Sequence, residues 1–146
     1  MSLRRIRLGE LIALLGAACV AVSLLMSWYQ SPSGNLDAWQ TFGPAVVLLI
    51  LACAAALFLF IGTLTERSSA LPVAGAVWAT FLGMIAVIAA IVRVLERPHG
   101  ASALCDGAWL ALIGALTILI GAWQSMRDER TSMYIAPDIE PRRPAL

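Results

Sequence analysis

A single carboxylate within an apolar stretch is the first place in this chain where chemistry is possible. Glu10 lies in the apolar run of residues 8–28, three residues after Arg7. A carboxylate in such a run can bind and release a proton or a cation, which would make it a coupling group in transport. It can equally form an ion pair with Arg7, since residues three apart are neighbours on a helix. The sequence favours the ion pair and leaves the coupling role open.

A second group of reactive side chains follows the third apolar run. Four kinds of metal ligand lie there within eleven residues: Glu96, His99, Cys105 and Asp106. Zinc and copper are the metals that such ligands favour. The spacing matches no strong metal motif, however, and Pro98 before His99 is typical of a turn. His99, Cys105 and Asp106 are therefore candidates for a metal site, with a structural loop as the simpler interpretation.

The remaining reactive side chains form no catalytic pattern. His99 is the one histidine of the sequence, and it has no nearby nucleophile with which to build a catalytic triad. The three cysteines are not arranged as CxxC, and Cys19 and Cys53 fall in the middle of apolar runs, where they are expected to pack as small hydrophobic side chains. A glycine-rich phosphate loop is also missing. We therefore expect a protein that is not an enzyme and holds no cofactor.

The composition explains why so few reactive residues are present. Hydrophobic residues make up 60% of the 146-residue sequence, charged residues only 13%, and the mean hydropathy is +0.85. A soluble domain carries about 25% charged residues, so a soluble monomer is excluded, and a disordered chain would be far less hydrophobic. The net charge of +1 lacks the clustered basic excess of a nucleic-acid-binding protein. An integral membrane protein remains, with the lipid bilayer as its first partner.

Four apolar runs are long enough to cross the bilayer as helices. A helix needs about 20 apolar residues to cross about 30 Å of hydrocarbon, whereas barrel strands are about half that length and alternate in polarity. The runs cover residues 8–28, 43–64, 71–95 and 107–126. The sequence thus predicts an all-α transmembrane domain over residues 1–126. Residues 127–146 contain several prolines and arginines and are predicted to form a cytoplasmic tail. Its first residues, 127–130, are predicted to prolong the fourth span by a turn, because their charges pair at helical spacing. The remainder is predicted to be disordered.

The arginines set the expected orientation. With the N-terminus in the cytoplasm, eight arginines lie in cytoplasmic segments and only Arg93 and Arg97 lie outside, which follows the positive-inside rule. Both termini are therefore predicted to be cytoplasmic. Trp78 lies two turns into the third span, away from the aromatic belt of a bilayer. The other tryptophans are near span ends and fit such a belt: Trp28, Trp39, Trp109 and Trp123.

Small residues at four-residue spacing predict where the helices touch. Gly75, Ala79 and Gly83 form the clearest stripe, and in lipid such residues let two helix backbones approach closely. Short loops between consecutive spans predict antiparallel neighbours. The expected fold is an antiparallel up-down-up-down four-helix bundle. Weaker stripes occur in the first and fourth spans: Ala13, Ala17 and Ala21, and Gly107, Ala111 and Ala115.

Several short motifs give the chain a family resemblance. It resembles the small four-span bacterial membrane proteins of unknown activity, through segments spread over most of its length: Arg7-Leu8-Gly9-Glu10, Ser27-Trp28-Tyr29, Ala108-Trp109-Leu110 and Trp123-Gln124-Ser125-Met126-Arg127-Asp128-Glu129. The resemblance implies a multi-pass protein of the bacterial inner membrane and carries no activity or site.

Two functions fit these features. The scarcity of polar residues inside the spans favours a non-catalytic accessory or scaffold subunit that works by helix–helix association with a membrane-protein partner or a second copy. A small transporter or channel subunit that forms its pathway as an oligomer is the alternative, with Glu10 as the coupling carboxylate. That pathway would need polar lining groups, and the hydroxyls well inside the spans are Ser23, Thr80 and Thr117.

Overall fold

Long helices dominate the computed structural model, which describes residues 8–32, 34–65, 70–97 and 101–130. Within those residues, four helices are long and apolar enough to cross a membrane. They are α1 (Leu8–Leu25), α3 (Val46–Thr65), α4 (Ala70–Leu95) and α5 (Asp106–Arg130), and a short helix, α2 (Ala38–Phe42), precedes α3. The prediction of a helical protein with four potential membrane spans is confirmed.

The helix ends differ from the predicted ends by a few residues. α1 stops at Leu25, not at residue 28, because Ser27 begins a strand. The second apolar run starts as a 3-10 turn over Gly43–Ala45, so α3 begins only at Val46. α5 continues through the charged residues 127–130, so the prediction that these residues prolong the fourth span by a turn is confirmed. The rest of the predicted tail, 131–146, lies outside the described residues.

A three-stranded sheet connects the helix ends, and the expectation of an all-α fold was wrong in this respect. β1 (Ser27–Ser31) lies between β2 (Gly34–Asp37) and β3 (Ala103–Leu104), and both neighbours run antiparallel to it. These strands are too short for a period-two pattern to distinguish them from loops. We call the end of the bundle that carries this sheet the sheet end.

Two neighbouring aromatic residues of β1 attach the sheet to the helices. The Trp28 indole N–H donates a hydrogen bond to the carbonyl oxygen of Ser23, 2.8 Å away, near the end of α1. The Tyr29 hydroxyl donates to the carbonyl oxygen of Arg93 near the end of α4. Both acceptors lie in the last turn of a helix, where carbonyls lack the usual amide four residues later. The Ser23 carbonyl also accepts a hydrogen bond from the amide of Met26, at 3.2 Å. Trp28 is fully buried, so the prediction that it lies in an interfacial aromatic belt was wrong.

The four long helices form a closed ring of contacts. α5 packs against α1 and α4, and α3 packs against α4 and α1. Because β1 follows α1 and β3 precedes α5, the sheet brings the C-terminal end of α1 to the N-terminal end of α5. The core between the helices consists largely of alanines that are not exposed at all, among them Ala13, Ala52, Ala79 and Ala115.

The contact between α1 and α5 is made by backbone against backbone. Gly9 and Gly16 on α1 are seven residues apart, as are Gly114 and Gly121 on α5. A Cβ atom added to Gly16 would lie 2.6 Å from the amide nitrogen of Ile118, and one added to Gly121 would lie 2.5 Å from the carbonyl oxygen of Gly9. Only glycine allows so close an approach. Gly9 meets Gly121 and Gly16 meets Gly114, so these two helices are antiparallel. We call this contact the glycine seam.

Candidate functional site

The structure encloses Glu10 in the first turn of α1, at the end opposite the sheet. Only 2% of the residue is exposed. It precedes the buried Ala17 and Leu24 at seven-residue spacing, which places it on a stripe of α1 that faces the inside of the bundle. Arg7 lies outside the described residues, so the ion pair with Arg7 stays a prediction. An ionisable side chain enclosed within an apolar segment is the default candidate for a functional group in a membrane protein.

A buried hydroxyl lies next to the turn of α1 that carries Glu10. Ser125 on α5 is 1% exposed, and its Oγ is the one buried side-chain polar atom of the described residues without a hydrogen-bond partner. A Cβ on Gly9 would lie 2.7 Å from the amide nitrogen of Ser125, so Ser125 packs against the residue before Glu10. Sequence reasoning missed Ser125. Its one signal is the spacing of four residues from Gly121, which puts both on the same face of α5.

The hydroxyls proposed as pathway lining bond to their own helices. Ser23, Thr80 and Thr117 each donate a hydrogen bond of 2.6 to 2.7 Å to a backbone carbonyl three or four residues earlier. Thr80 also lies 3.4 Å from the sulfur of Met126 on α5. Each hydroxyl therefore has a partner without any water or substrate, as is common for Ser and Thr in apolar helices.

The candidate metal ligands are not brought together in the part of the chain that the structure describes. No group of three or more His, Cys, Asp or Glu side chains there could hold a metal ion, and His99 lies outside that part. Cys105 is a free thiol whose backbone fixes the start of α5, since its amide donates to the carbonyl of Trp28 at 2.9 Å. Asp106, the first residue of α5, is exposed. These contacts favour a structural role for this loop.

The stripe of Gly75, Ala79 and Gly83 on α4 faces the inside of the bundle. A Cβ on Gly75 would lie 3.1 Å from the Cα of Leu59 on α3, whereas one on Gly83 would lie 3.3 Å from the Cα of Leu119 on α5. Ala79, between them, is not exposed. These residues pack within one chain, so a surface for a partner has to lie elsewhere on α4.

Two aromatic side chains point away from the bundle on α4. Trp78 and Phe81 are 58% and 49% exposed. Their ring centroids are 6.3 Å apart and their planes meet at 79°, an edge-to-face arrangement that aromatic pairs prefer. Trp78 follows the start of α4 by eight residues, or about 12 Å. We call these two residues the aromatic pair, and because tryptophan is enriched in binding hot spots, the pair is a candidate contact for another protein.

A groove opens between α3 and α4 at the sheet end. Its volume is about 430 Å³, within the range of small-molecule sites. Arg93 and Glu96 supply its polar end. The rest of the lining is aliphatic: Ala45, Leu48, Ile85, Ile88, Ala89 and Val92. We call this feature the α3–α4 groove.

Tyr29 connects the sheet to the polar end of this groove through its hydrogen bond to Arg93. Burial of the side chain raises the pKa of the phenol above its ordinary value of about 10, and the positive charges of Arg93 and Arg97 lower it by less. The phenol is therefore protonated at neutral pH, where it can donate this bond. Its donation fixes the backbone of the last turn of α4.

Two pairs of polar side chains, at opposite ends of the bundle, remain as candidate sites. Glu10 and Ser125 are buried at one end of the bundle, and Arg93 and Glu96 line the groove at the other. The aromatic pair faces outward on α4. No family model, no curated protein and no solved structure matches this chain.

Proposed function

We propose that this chain is a multi-pass protein of the bacterial inner membrane, with its four long helices running up, down, up and down and both termini in the cytoplasm. The distribution of arginine supports this orientation. Eight arginines then lie in cytoplasmic segments, and only Arg93 and Arg97 lie at the outer end. In this orientation the sheet faces the outside, and Glu10 and Ser125 lie towards the cytoplasm.

Within the membrane, the protein acts as a non-catalytic accessory or scaffold subunit by helix–helix association. The outward aromatic pair on α4 is the observation that carries this proposal. The glycine seam and the stripe of Gly75 and Gly83 use their small residues for packing within one chain, so the outer surface is where a partner can be recognised. The partner is another membrane protein or a second copy of this chain.

Co-purification from native membranes in a mild detergent tests this association. We expect the wild-type chain to retain a stoichiometric partner and the variant with Trp78→Leu and Phe81→Leu to lose it, because leucine keeps the helix apolar but removes the aromatic contact. Trp123→Leu is the matched control, since Trp123 is 54% exposed on α5. A wild-type chain that purifies as a monomer without a partner would contradict the proposal, as would an equal loss in the control.

A transporter or channel subunit with Glu10 as the coupling carboxylate is the second candidate. The burial of Glu10 and the neighbouring Ser125 hydroxyl, which has no hydrogen-bond partner among the described residues, favour it. Proton or cation flux into vesicles that contain the protein should fall in Glu10→Gln. It should be unchanged in Asp128→Asn, an exposed acid at the same end. Flux that survives Glu10→Gln would leave this function without a coupling group.

A further inference from the structure

The α3–α4 groove combines aliphatic walls with charges of both signs at one end. The walls include Ile85 and Val92 on α4. Arg93 lies in the last turn of this helix, and Glu96 is the residue that follows it. The rise from Ile85 to Val92 is about 10 Å. This shape matches a molecule with a hydrocarbon chain and a head group that carries a positive and a negative charge.

The fold fixes the backbone that carries these two charged side chains. The carbonyl of Arg93 accepts a hydrogen bond from the Tyr29 hydroxyl, and the amide of Glu96 donates to the carbonyl of Val92 at 2.7 Å. The last turn of α4 is therefore held in helical form. Arg97 is close enough for its charge to act on Tyr29, so a second cation lies near the polar end of the groove.

We propose that the groove binds one acyl chain of a phosphatidylethanolamine-type phospholipid from the leaflet at the sheet end, with the phosphate on Arg93 and the ammonium group on Glu96. Arginine donates two parallel hydrogen bonds to a phosphate. A carboxylate accepts hydrogen bonds from a primary ammonium group, whereas a trimethylammonium group has no N–H to donate. Lipid binding is measured on the purified chain, so its outcome does not depend on the proposed association with another protein.

The lining of the groove favours an acyl chain over a helix of another protein. Its walls are aliphatic, and its two charged residues lie at one end only. This arrangement suits a narrow hydrocarbon chain joined to a polar head group, whereas a helix is about 10 Å across with its side chains. Of the charged residues near this end, Arg93 and Glu96 line the groove and Arg97 does not. The pair that lines it favours a head group with an ammonium group over one without, because only the ammonium group can bind the Glu96 carboxylate.

Native mass spectrometry of the purified full chain tests the head-group preference. The probes are phosphatidylethanolamine, phosphatidylcholine and phosphatidylglycerol with identical acyl chains. We expect phosphatidylethanolamine to bind about fivefold more tightly than the other two. Glu96→Gln should remove the tighter binding of phosphatidylethanolamine relative to phosphatidylcholine. Arg93→Gln should weaken the binding of all three phospholipids, because each carries a phosphate. Equal affinities in the wild type, or tighter binding of phosphatidylglycerol, would overturn the proposal.

A matched pair of alanine substitutions tests the groove itself. Ala89→Phe fills the groove and should abolish the preference for phosphatidylethanolamine, whereas Ala54→Phe, on an exposed part of α3 that does not line the groove, should preserve it. Circular dichroism checks that both variants are folded, and Glu96→Gln supplies the test if Ala89→Phe is not. A preference that persists in folded Ala89→Phe would overturn the proposal. The proposal would also be overturned if the wild type showed no lipid preference and Ala89→Phe released a bound second copy of the chain.

Discussion

Two contacts on opposite sides of the bundle differ in how closely their helices approach. At the glycine seam, a Cβ added to any of the four seam glycines would lie no more than 2.8 Å from an atom of the facing helix. Between α3 and α4, a Cβ added to Gly75 would lie 3.1 Å from Leu59, and towards the sheet end the two helices leave the α3–α4 groove open. One side of the bundle is closed over its length, and the other is closed only in part.

This difference indicates that two helices touch along their full length only where glycine occupies facing positions on both of them. Gly9 faces Gly121 and Gly16 faces Gly114, and the seven-residue spacing on both helices keeps these pairs in register. α3 has Gly62 as its one glycine, and no described atom lies within 4 Å of a Cβ added there. Glycine on one helix alone permits close contact at one position and leaves the rest of the helix–helix interface open.

The largest effect is expected where a methyl group enters the glycine seam. Gly121→Ala places a carbon 2.5 Å from the Gly9 carbonyl oxygen, so α1 and α5 have to separate, and we expect the free energy of unfolding to fall by about 3 kcal/mol. Gly62→Ala is the control. It adds the same group in open space and should leave the protein unchanged or stabilise it by up to about 1 kcal/mol. Unfolding in a denaturing detergent measures both, and equal stabilities would show that the seam is not tight.

A somewhat smaller effect is expected between α4 and α5. A Cβ on Gly83 would lie 3.3 Å from the Cα of Leu119 and 3.4 Å from the Cγ2 of Ile118. Leucine at this position would push the two backbones apart, and we expect Gly83→Leu to lower the free energy of unfolding by about 2 kcal/mol. Thermal melting in detergent measures the change. An unchanged melting profile would argue against a close α4–α5 contact.

The attachment of the sheet is tested by removing one hydroxyl. Tyr29→Phe leaves the carbonyl of Arg93 without the hydrogen bond from the sheet, and we expect a loss of about 1–2 kcal/mol in the free energy of unfolding. The same detergent unfolding experiment measures it. A variant as stable as the wild type would show that this bond does not hold α4 to the sheet.

The contribution of Tyr29 should also depend on pH. Burial raises the pKa of its phenol, so the folded state binds the proton more tightly than the unfolded state. The resulting stabilisation is complete below about pH 10 and is lost as the pH rises through the folded pKa. The difference in thermal midpoint between wild type and Tyr29→Phe should therefore be constant from about pH 7 to 9 and shrink above about pH 10. A difference in thermal midpoint that stays constant above about pH 10 as well would contradict the proposed burial of Tyr29.

The smallest effect is expected in the open part of the α3–α4 contact. Ala89→Leu extends a side chain into the groove that Ala89 lines, so no helix has to move. We expect the free energy of unfolding to change by less than about 0.5 kcal/mol, in contrast to leucine at Gly83 on the same helix. A large loss of stability in Ala89→Leu would show that the groove closes in the membrane.

The spans could be predicted from the sequence, but the sheet could not. Hydropathy over about 20 residues identifies a membrane helix without knowledge of its neighbours. β1 ends the first span early because it pairs with Ala103–Leu104, far along the chain, and a strand of two residues has no detectable periodicity. The burial of Trp28 depends on that sheet, so it could not be predicted from the sequence either.

The candidate sites could be predicted only in part, because hydropathy does not fix how an apolar helix is rotated. Glu10 stands out in the sequence as an acid in an apolar run, yet its burial depends on how the helices pack around it. Ser125 and the aromatic pair depend on rotation in the same way. The heptad glycines of α1 and α5 are visible in the sequence, but the many alanines offer competing stripes, and no local pattern shows which helix each stripe faces.

The central claim is that the small residues pack within one chain and that a partner binds the outer surface of the bundle, and photo-cross-linking in native membranes tests it most directly. A photoreactive amino acid at Phe81, in the aromatic pair, is compared with one at Ile113, which is 56% exposed on α5. We predict one defined protein adduct from position 81 and only lipid adducts from position 113. Lipid adducts alone at both positions, or the same protein adducts at both, would contradict the claim.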